Sequence, residues 1–326
     1  MRIKYFIMTT SNPLIKVGIS ACLLGAPVRF NGGHKQSHLC KDVLSQYFDY
    51  VSVCPEQAIG LGTPREPIRL VGETHNPRAV GTVNPELDVT DALTAYGQHT
   101  AAQLNDVCGF ILMQKSPSCG MERVKVYQYS GHTAEHGGVG LFAAALMRTQ
   151  PLLPIEEDGR LNDPVLRENF ITRVFAYAQW QHLVSSGLSR KKLYDFHARY
   201  KYQLMANSPT DCTALGRLLA SNPQLRLGIV ATQYFSLFMS ALKKIANRGS
   251  HTNVLQHISG YIKRSLDADE KRELQILISQ YRSGIVPLIV PLTLLKHHFK
   301  RHPDRYIAEQ VYLQPHPENL SLRNAL

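Results

Sequence analysis

The chain has 326 residues, 44% of them hydrophobic and 19% charged, with 22 Gly and 18 Pro. That balance excludes a disordered, collagen-like or low-complexity protein, and the length predicts two globular domains rather than one small core. The net charge of +11 is uneven, with 13 Lys+Arg against 11 Asp+Glu in residues 1–150 and 23 against 14 in residues 151–326. A basic second half points to a polyanionic partner such as RNA, with a solvated basic surface as the alternative. The longest apolar run, Ile285 to Leu295, is broken by Pro287 and Pro291 and falls short of the roughly 20 residues a membrane span needs. Residues 1–12 lack the apolar centre and cleavage site of a secretory signal. Six cysteines are too few for a disulfide framework, so a soluble, cytoplasmic protein with reduced thiols is expected.

From Lys16 onward, short apolar runs alternate with Gly and Pro. Lys16 to Ser20, Tyr50 to Cys54, Pro67 to Val71 and Gly109 to Gln114 read as strands. Ser37 to Phe48 and Val89 to Val107 read as helices between them. Strands separated by helices predict an α/β domain with a parallel, helix-covered, Rossmann-like sheet, whose ligands sit beyond the carboxyl ends of the strands. The Gly-rich stretch 131–140 leads into a helix at Leu141 to Met147, and Pro151, Pro154 and the acidic Glu156 to Gly159 read as a linker. From Asp163 the pattern becomes amphipathic helices at 164–181, 189–205, 211–219, 224–244, 253–265, 268–283 and 291–301. Asp163-Pro164 and Ser189 serve as starts, and Gly187 as a break. The second domain is predicted all-α.

Cys22, Cys54 and Cys119 each follow a predicted strand, so a parallel sheet brings them to one edge. Their separations exclude a local CxxC pair or a zinc ribbon but allow a site assembled by folding. Three thiolates suit zinc, which usually closes with a fourth ligand, or a four-iron cluster left with one iron free of protein. Three unrelated buried thiols remain an alternative on spacing alone.

The strings Ile19-Ser20-Ala21-Cys22-Leu23-Leu24-Gly25, Val53-Cys54-Pro55-Glu56 with the later Gly62-Thr63-Pro64-Arg65, and Lys115-Ser116-Pro117-Ser118-Cys119-Gly120 resemble the three signature motifs of the DUF523 family, which includes the thiouracil desulfidases. Residues 160–326, with Phe196-His197-Ala198-Arg199-Tyr200-Lys201 and His251-Thr252-Asn253-Val254-Leu255, resemble the DUF1722 domain. The resemblance implies a DUF523-like domain over residues 1–152 and a DUF1722-like domain over 160–326. It further implies a [4Fe-4S] cluster on Cys22, Cys54 and Cys119, whose unique iron takes the sulfur of a thiolated pyrimidine: thiouracil, thiouridine or thiouridine monophosphate. Desulfuration would be non-redox, with Glu56 and Ser116 as acid–base or water-positioning residues. A carboxylate near a helix start is also stabilised there by the dipole, and a Ser before Pro also caps a turn.

Arg29 and Arg65 are fork-shaped cations beside the expected pocket, suited to a substrate phosphate. Gly138 and Gly140, before a helix, offer a second phosphate cradle, with a tight connection as the alternative. Cys40, Cys108 and Cys212 match no motif; Cys108 is expected in the core. His34, His38 and Cys40 are close in sequence, but His38 and Cys40 are two apart in a predicted helix and face different ways, which argues against zinc; His297, His298 and His302 read as part of a basic surface. Arg190, Lys191, Lys192, Arg199 and Lys201, interleaved with Tyr194, Phe196, Tyr200 and Tyr202, suit either base stacking with phosphate contact or an aromatic core under a wet face. The competing functional class is a nucleic-acid-binding or redox-sensing protein whose cluster is structural.

Overall fold

The computed structural model describes residues 14–128, 132–133, 137–221, 224–320, 322–324 and 326, and divides into two units, Pro13–Asn162 and Asp163–Leu326. In the first unit the strands are β1 (Ile15–Ser20), β2 (Phe48–Val53), β3 (Ile68–Glu73), β4 (Asn76–Gly81), β5 (Phe110–Leu112), β6 (Val126–Tyr127) and β7 (Ile155–Glu157). A parallel sheet runs in the order β2-β1-β5-β7. Val17 through Ser20 and Phe110 through Leu112 are buried without alternation, as strands covered on both faces must be. The Phe110 ring lies where a Cβ on Gly18 would stand, 2.3 Å away, so only glycine lets these central neighbours pair.

The α-helices of this unit are α1 (Pro55–Ala58), α2 (Thr90–Gln103) and α3 (Leu141–Thr149). Phe142 of α3 stacks on Tyr96 of α2 at 5.8 Å and meets Phe110 edge-on at 6.0 Å, which seats α3 on the sheet.

Three expectations need correction. The helix read over Ser37 to Phe48 is a wide turn at Leu39–Val43 followed by a tight one at Leu44–Gln46. There Ser45 Oγ donates to the Lys41 carbonyl at 2.5 Å and Gln46 Nε2 to that of Asp42 at 3.1 Å, competing with regular helical bonds. The strand read at Pro67 to Val71 exists as β3, but in a second sheet of order β4-β3-β6, antiparallel to β4 and parallel to β6. The acidic run read as a linker holds β7, paired with β5 through Phe110–Ile155, Ile111–Glu156 and Leu112–Glu157. Its carboxylates are buried and partnered. Arg160 Nε donates to Glu156 Oε1 at 2.6 Å, and Glu157 Oε1 accepts from the backbone N–H of Met121 at 2.7 Å and of Glu122 at 3.3 Å.

The second unit contains α4 (Pro164–Ser185), α5 (Arg190–Asn207), α6 (Pro209–Ser221), α7 (Leu227–Lys243), α8 (Arg248–Ile262), α9 (Ala268–Arg282), α10 (Ile289–Arg301) and the short α11 (Arg305–Ala308). Asp163 accepts from Val165 and Leu166 N–H ahead of Pro164, Ser189 accepts from Lys192 N–H, and Gly187 takes φ 82° between α4 and α5. Its core includes Val254, Leu255 and Ile258 of α8 with Leu274 and Ile278 of α9 and Leu292 and Leu295 of α10. No helix among the described residues is long and apolar enough to cross a membrane.

The aromatic and basic segment at 190–202 resolves toward the core. Phe196, Tyr200 and Tyr202 are buried, and Phe196 packs against Trp180 and Phe238. Lys191 pairs with Asp195, and Lys192 Nζ donates to the Ser186 and Gly187 carbonyls at the end of α4. Helical spacing turns these rings inward, so these three form the aromatic core of the two readings and not a base-stacking platform.

A buried polar network pins the C-terminal residues of this unit. Glu168 accepts from Arg323 Nε at 3.2 Å and from Thr172 Oγ1 at 3.4 Å, with His316 Nε2 at 3.6 Å. Burial pushes the Glu168 carboxyl up, but the His316 contact and the Arg323 charge outweigh it and hold it at about 2. A carboxyl depressed from an ordinary 4.5 to about 2 on folding stabilises the native state above pH ~4.5, and that contribution is lost as pH falls toward 2. It amounts to about 3 kcal/mol. Urea unfolding followed by Trp180 fluorescence should show this acid-side loss, and Glu168→Gln should flatten it while lowering stability at neutral pH.

Candidate active site

The register of the parallel sheet places the candidate residues. Ser20 of β1 pairs with Val53 of β2, so Cys22 and Cys54 lie two and one residues beyond one shared edge. The Lys115–Gly120 segment leaves the same edge after β5, beyond Leu112, which pairs with Glu157. Together these segments line a cavity of about 390 Å³, with all three cysteines, Glu56 and Ser116 on its walls. Cys22 and Cys119 are buried, Cys54 half-buried, and none is in a disulfide.

The Cys119 turn is shaped from both sides by backbone bonds. Ser116 Oγ accepts from the N–H of Cys119 at 3.1 Å and of Ser118 at 3.3 Å, and Gly120 N–H bonds the Ser116 carbonyl at 2.8 Å. Behind it, α3 begins without a side-chain cap. The N–H groups of Gly140, Leu141 and Ala143 donate instead to the carbonyls of Gly120, Pro117 and Ser118 at 2.8, 3.1 and 3.1 Å. Beyond the turn, Glu157 holds the next two N–H groups, those of Met121 and Glu122. The loop that carries Cys119 is thus fixed before any ligand binds.

Glu56 sits in the first turn of α1, just past Cys54, which is that helix's N-cap residue. Arg65 grips one carboxylate oxygen, Oε2, through both Nε, at 2.9 Å, and Nη2. The other oxygen, Oε1, accepts from Ser118 Oγ at 2.6 Å, and Ser118 Oγ lies 2.9 Å from Ser116 Oγ. The carboxylate is therefore aimed from two directions.

Burial raises the Cys22 thiol to about 11, helped by the neighbouring Cys54 and opposed by the Arg29 charge. Burial, with the Glu56 charge, raises Cys119 to about 12 against the polar contacts of Ser20 and Ser118, and burial also raises Cys54. Across the cavity the charge of Cys54 adds to the rise at Cys22, and that of Cys22 to the rise at Cys119. Among the described residues, no group of three or more His, Cys, Asp and Glu stands ready to hold a single metal ion.

Other expected site residues take different parts. The Arg29 guanidinium lines the cavity, lies over the Phe30 ring at 5.7 Å, and has no ion pair among the described residues. Arg65 is not open to a phosphate. Its N–H groups are spent on Glu56, the Gly62 and Val28 carbonyls and Thr63 Oγ1, so it serves as a strut for the carboxylate. The cradle expected at Gly138 and Gly140 is also corrected, because the Gly138 N–H bonds Val124 O at 2.7 Å and that of Gly140 is taken by Gly120. A Cβ on Gly140 would stand 2.6 Å from the Ser118 carbonyl carbon, so this glycine permits close packing behind the Cys119 turn. Cys40 and Cys108 are buried away from these walls, His38 is exposed and paired with Asp42, and His298 is buried in the second unit while Cys212 is half-buried there. Reading the sequence missed Ser118 and Glu157 as supports. The only signal for Ser118 was its place in the Ser-Pro-Ser-Cys string, and Glu157 lay in the presumed linker.

Comparison with known proteins places both halves. A family model described as 2-thiouracil desulfurase matches residues 17–158, and one described as DUF1722, a protein of unknown function, matches residues 201–317. The uncharacterized protein YbgA of Escherichia coli (strain K12) is 34% identical over 159 residues, covering 48% of this chain and 94% of YbgA. The uncharacterized protein YbbK of Bacillus subtilis (strain 168) is 31% identical over 151 residues, covering 44% of this chain and 97% of YbbK. A solved structure of the [4Fe-4S]-dependent thiouracil desulfidase TudS is 29% identical, covering 45% of this chain and 93% of that one, with a TM-score of 0.36. The chain belongs to the 2-thiouracil desulfurase (DUF523) family through its first half and to the DUF1722 family through its second.

Proposed function

We propose that the first unit is a non-redox desulfidase that converts the C=S group of a thiolated pyrimidine to C=O with water and releases sulfide. Cys22, Cys54 and Cys119 would hold a [4Fe-4S] cluster. Family membership supports this, and so does the donor set: thiols on three separate loops, facing one cavity. A cluster takes its thiolates on different irons, whereas a single zinc draws all of them to about 2.3 Å. Metal binding deprotonates such thiols, which offsets the effect of their burial. When bound through three cysteines, the cluster supplies a soft Lewis-acid iron with an affinity for the sulfur of a thiocarbonyl.

The chain's own residues supply the rest. Glu56, fixed by Arg65 and Ser118, is placed to take a proton from the water that adds to the thiocarbonyl carbon. Ser116, on the same wall and 2.9 Å from the Ser118 hydroxyl that supports this carboxylate, would orient the water. Phe30, Met113 and Ile68 give the cavity an apolar side suited to a flat base, and Arg29 gives it a cation suited to the phosphate of a thiouridine monophosphate.

The observation that carries the reading is the joint placement of three free cysteines and a clamped carboxylate on one cavity at the carboxyl edge of a parallel sheet. Anaerobic reconstitution with iron and sulfide, followed by addition of 2- and 4-thiouracil, their nucleosides and their monophosphates, should release sulfide and the oxo base. A fully loaded protein that releases none from any of these substrates overturns the reading.

A further inference from the structure

The two serines of the Cys119 turn have different partners. Ser116 Oγ is the turn's cap, accepting two backbone N–H groups at 3.1 and 3.3 Å. Ser118 is 1% exposed, and among the described residues its hydroxyl's partners are side-chain atoms. It bonds Glu56 Oε1 at 2.6 Å and Ser116 Oγ at 2.9 Å, with a longer 3.7 Å contact to Cys119 Sγ.

Counting protons gives these bonds a direction. An ionised carboxylate only accepts, so the single Ser118 hydroxyl proton goes to Glu56 Oε1. Ser118 can then only accept from its neighbour, and Ser116 must donate to it. The result is a directed chain, Ser116 O–H to Ser118 O–H to Glu56, that ends on a carboxylate whose far oxygen is pinned by Arg65. Both serines line the cavity, Ser116 half-buried and Ser118 only 1% exposed.

Building on the desulfidase reading above, we propose that Ser118 is a positioning residue that relays a proton from Ser116 to Glu56. In the step, the Ser116 O–H bond breaks and its proton passes to Ser118 Oγ, while the Ser118 proton passes to Glu56 Oε1. The electron pair left on Ser116 Oγ is held by the N–H groups of Ser118 and Cys119, an arrangement suited to a transient oxyanion. Ser116 then takes a proton from the water adding to carbon, which restores its hydroxyl. The net transfer is one water proton to Glu56, which later returns it to the departing sulfide as HS−, while the second water proton leaves the carbon-bound hydroxyl to solvent as C=O forms and the C–S bond breaks. The relay consumes no oxidant or reductant.

The test has two arms on the full chain. In the metal-free protein, infrared spectroscopy follows the Glu56 carboxylate stretch, identified by its loss in Glu56→Gln. Ser118→Ala should shift that band. Ser116→Ala should shift it in the otherwise unaltered chain but leave it unmoved in the Ser118→Ala background. A band indifferent to Ser116→Ala in the unaltered chain overturns the relay, whether or not the protein desulfurates anything.

In the loaded enzyme, Ser118→Ala should lower kcat about 100-fold, with KM and iron content unchanged and a small fall in Tm from the donor lost to Glu56. Ser118→Thr, which keeps the hydroxyl, should recover most of the rate and guards against a folding defect. The Ser116→Ala/Ser118→Ala pair should be no slower than the slower single variant. Wild-type kcat in Ser118→Ala overturns the relay and leaves the desulfidase reading standing. Absence of sulfide from the unaltered loaded enzyme overturns that reading, and the infrared arm still decides the hydrogen-bonded chain.

Discussion

Replacing Cys22, Cys54 or Cys119 by Ser, one at a time, is expected to abolish sulfide release and to drop the iron content from about four per chain to below one. Each thiol stands on a different loop at the same sheet edge, so no neighbouring cysteine can substitute for a lost one. Cys40 and Cys108 are buried elsewhere and Cys212 belongs to the second unit. Cys40→Ser, Cys108→Ser and Cys212→Ser should therefore keep both iron and turnover. Iron and sulfide assays with the absorbance of the reconstituted protein check the series. Retention of full iron in any of the first three variants would remove that cysteine from the ligand set.

The second large effect is expected at Glu56. Glu56→Gln keeps the side chain's shape and an oxygen for the Ser118 hydroxyl, but no longer accepts a proton from water. Turnover should fall about 10²- to 10⁴-fold while iron content stays at the unaltered level. Arg65 then faces an amide instead of a carboxylate, and losing one partner of a mostly buried pair is costly. Some loss of stability should accompany the loss of rate. Measuring kcat, iron and the unfolding midpoint together separates the two effects. If the second unit's basic charge were the working part and the cluster merely structural, Glu56→Gln would leave function untouched, so the same variant distinguishes the two functional classes.

The placement of the three thiols was legible because it follows from two rules that need no side-chain detail: runs of continuous apolar residues form parallel strands, and parallel strands open their ligand sites at one edge. Glu56 was named through the Cys-Pro-Glu string of the family resemblance, and it lines the same cavity as Cys54. The supporting contacts were harder to read. Arg65 in a sequence is a cation near a pocket, and only the fold shows that its forks are already filled by Glu56 and loop carbonyls. Gly140 looks the same whether a glycine serves an anion or a crowded backbone, and the Ser118 carbonyl behind it decides for the latter. β7 was hidden because Glu156 and Glu157 are acidic and the strand is three residues long, so its burial depends on partners far away, Arg160 and the Met121–Glu122 backbone. In the second unit, capping residues and helical spacing announced the helices, whereas the Glu168–Arg323 pair spans 155 residues and leaves no local trace.

The carboxylate of Glu157, fastened to the peptide just downstream of Cys119, bears on how the polypeptide can be dissected. A version truncated at residue 152 would forfeit an outer strand of the parallel sheet and the anchor that steadies one cysteine-bearing loop, while one extended to residue 162 would retain both. An inactive fragment of the shorter kind would therefore report a severed brace, and would carry no information on whether desulfuration requires the helical half.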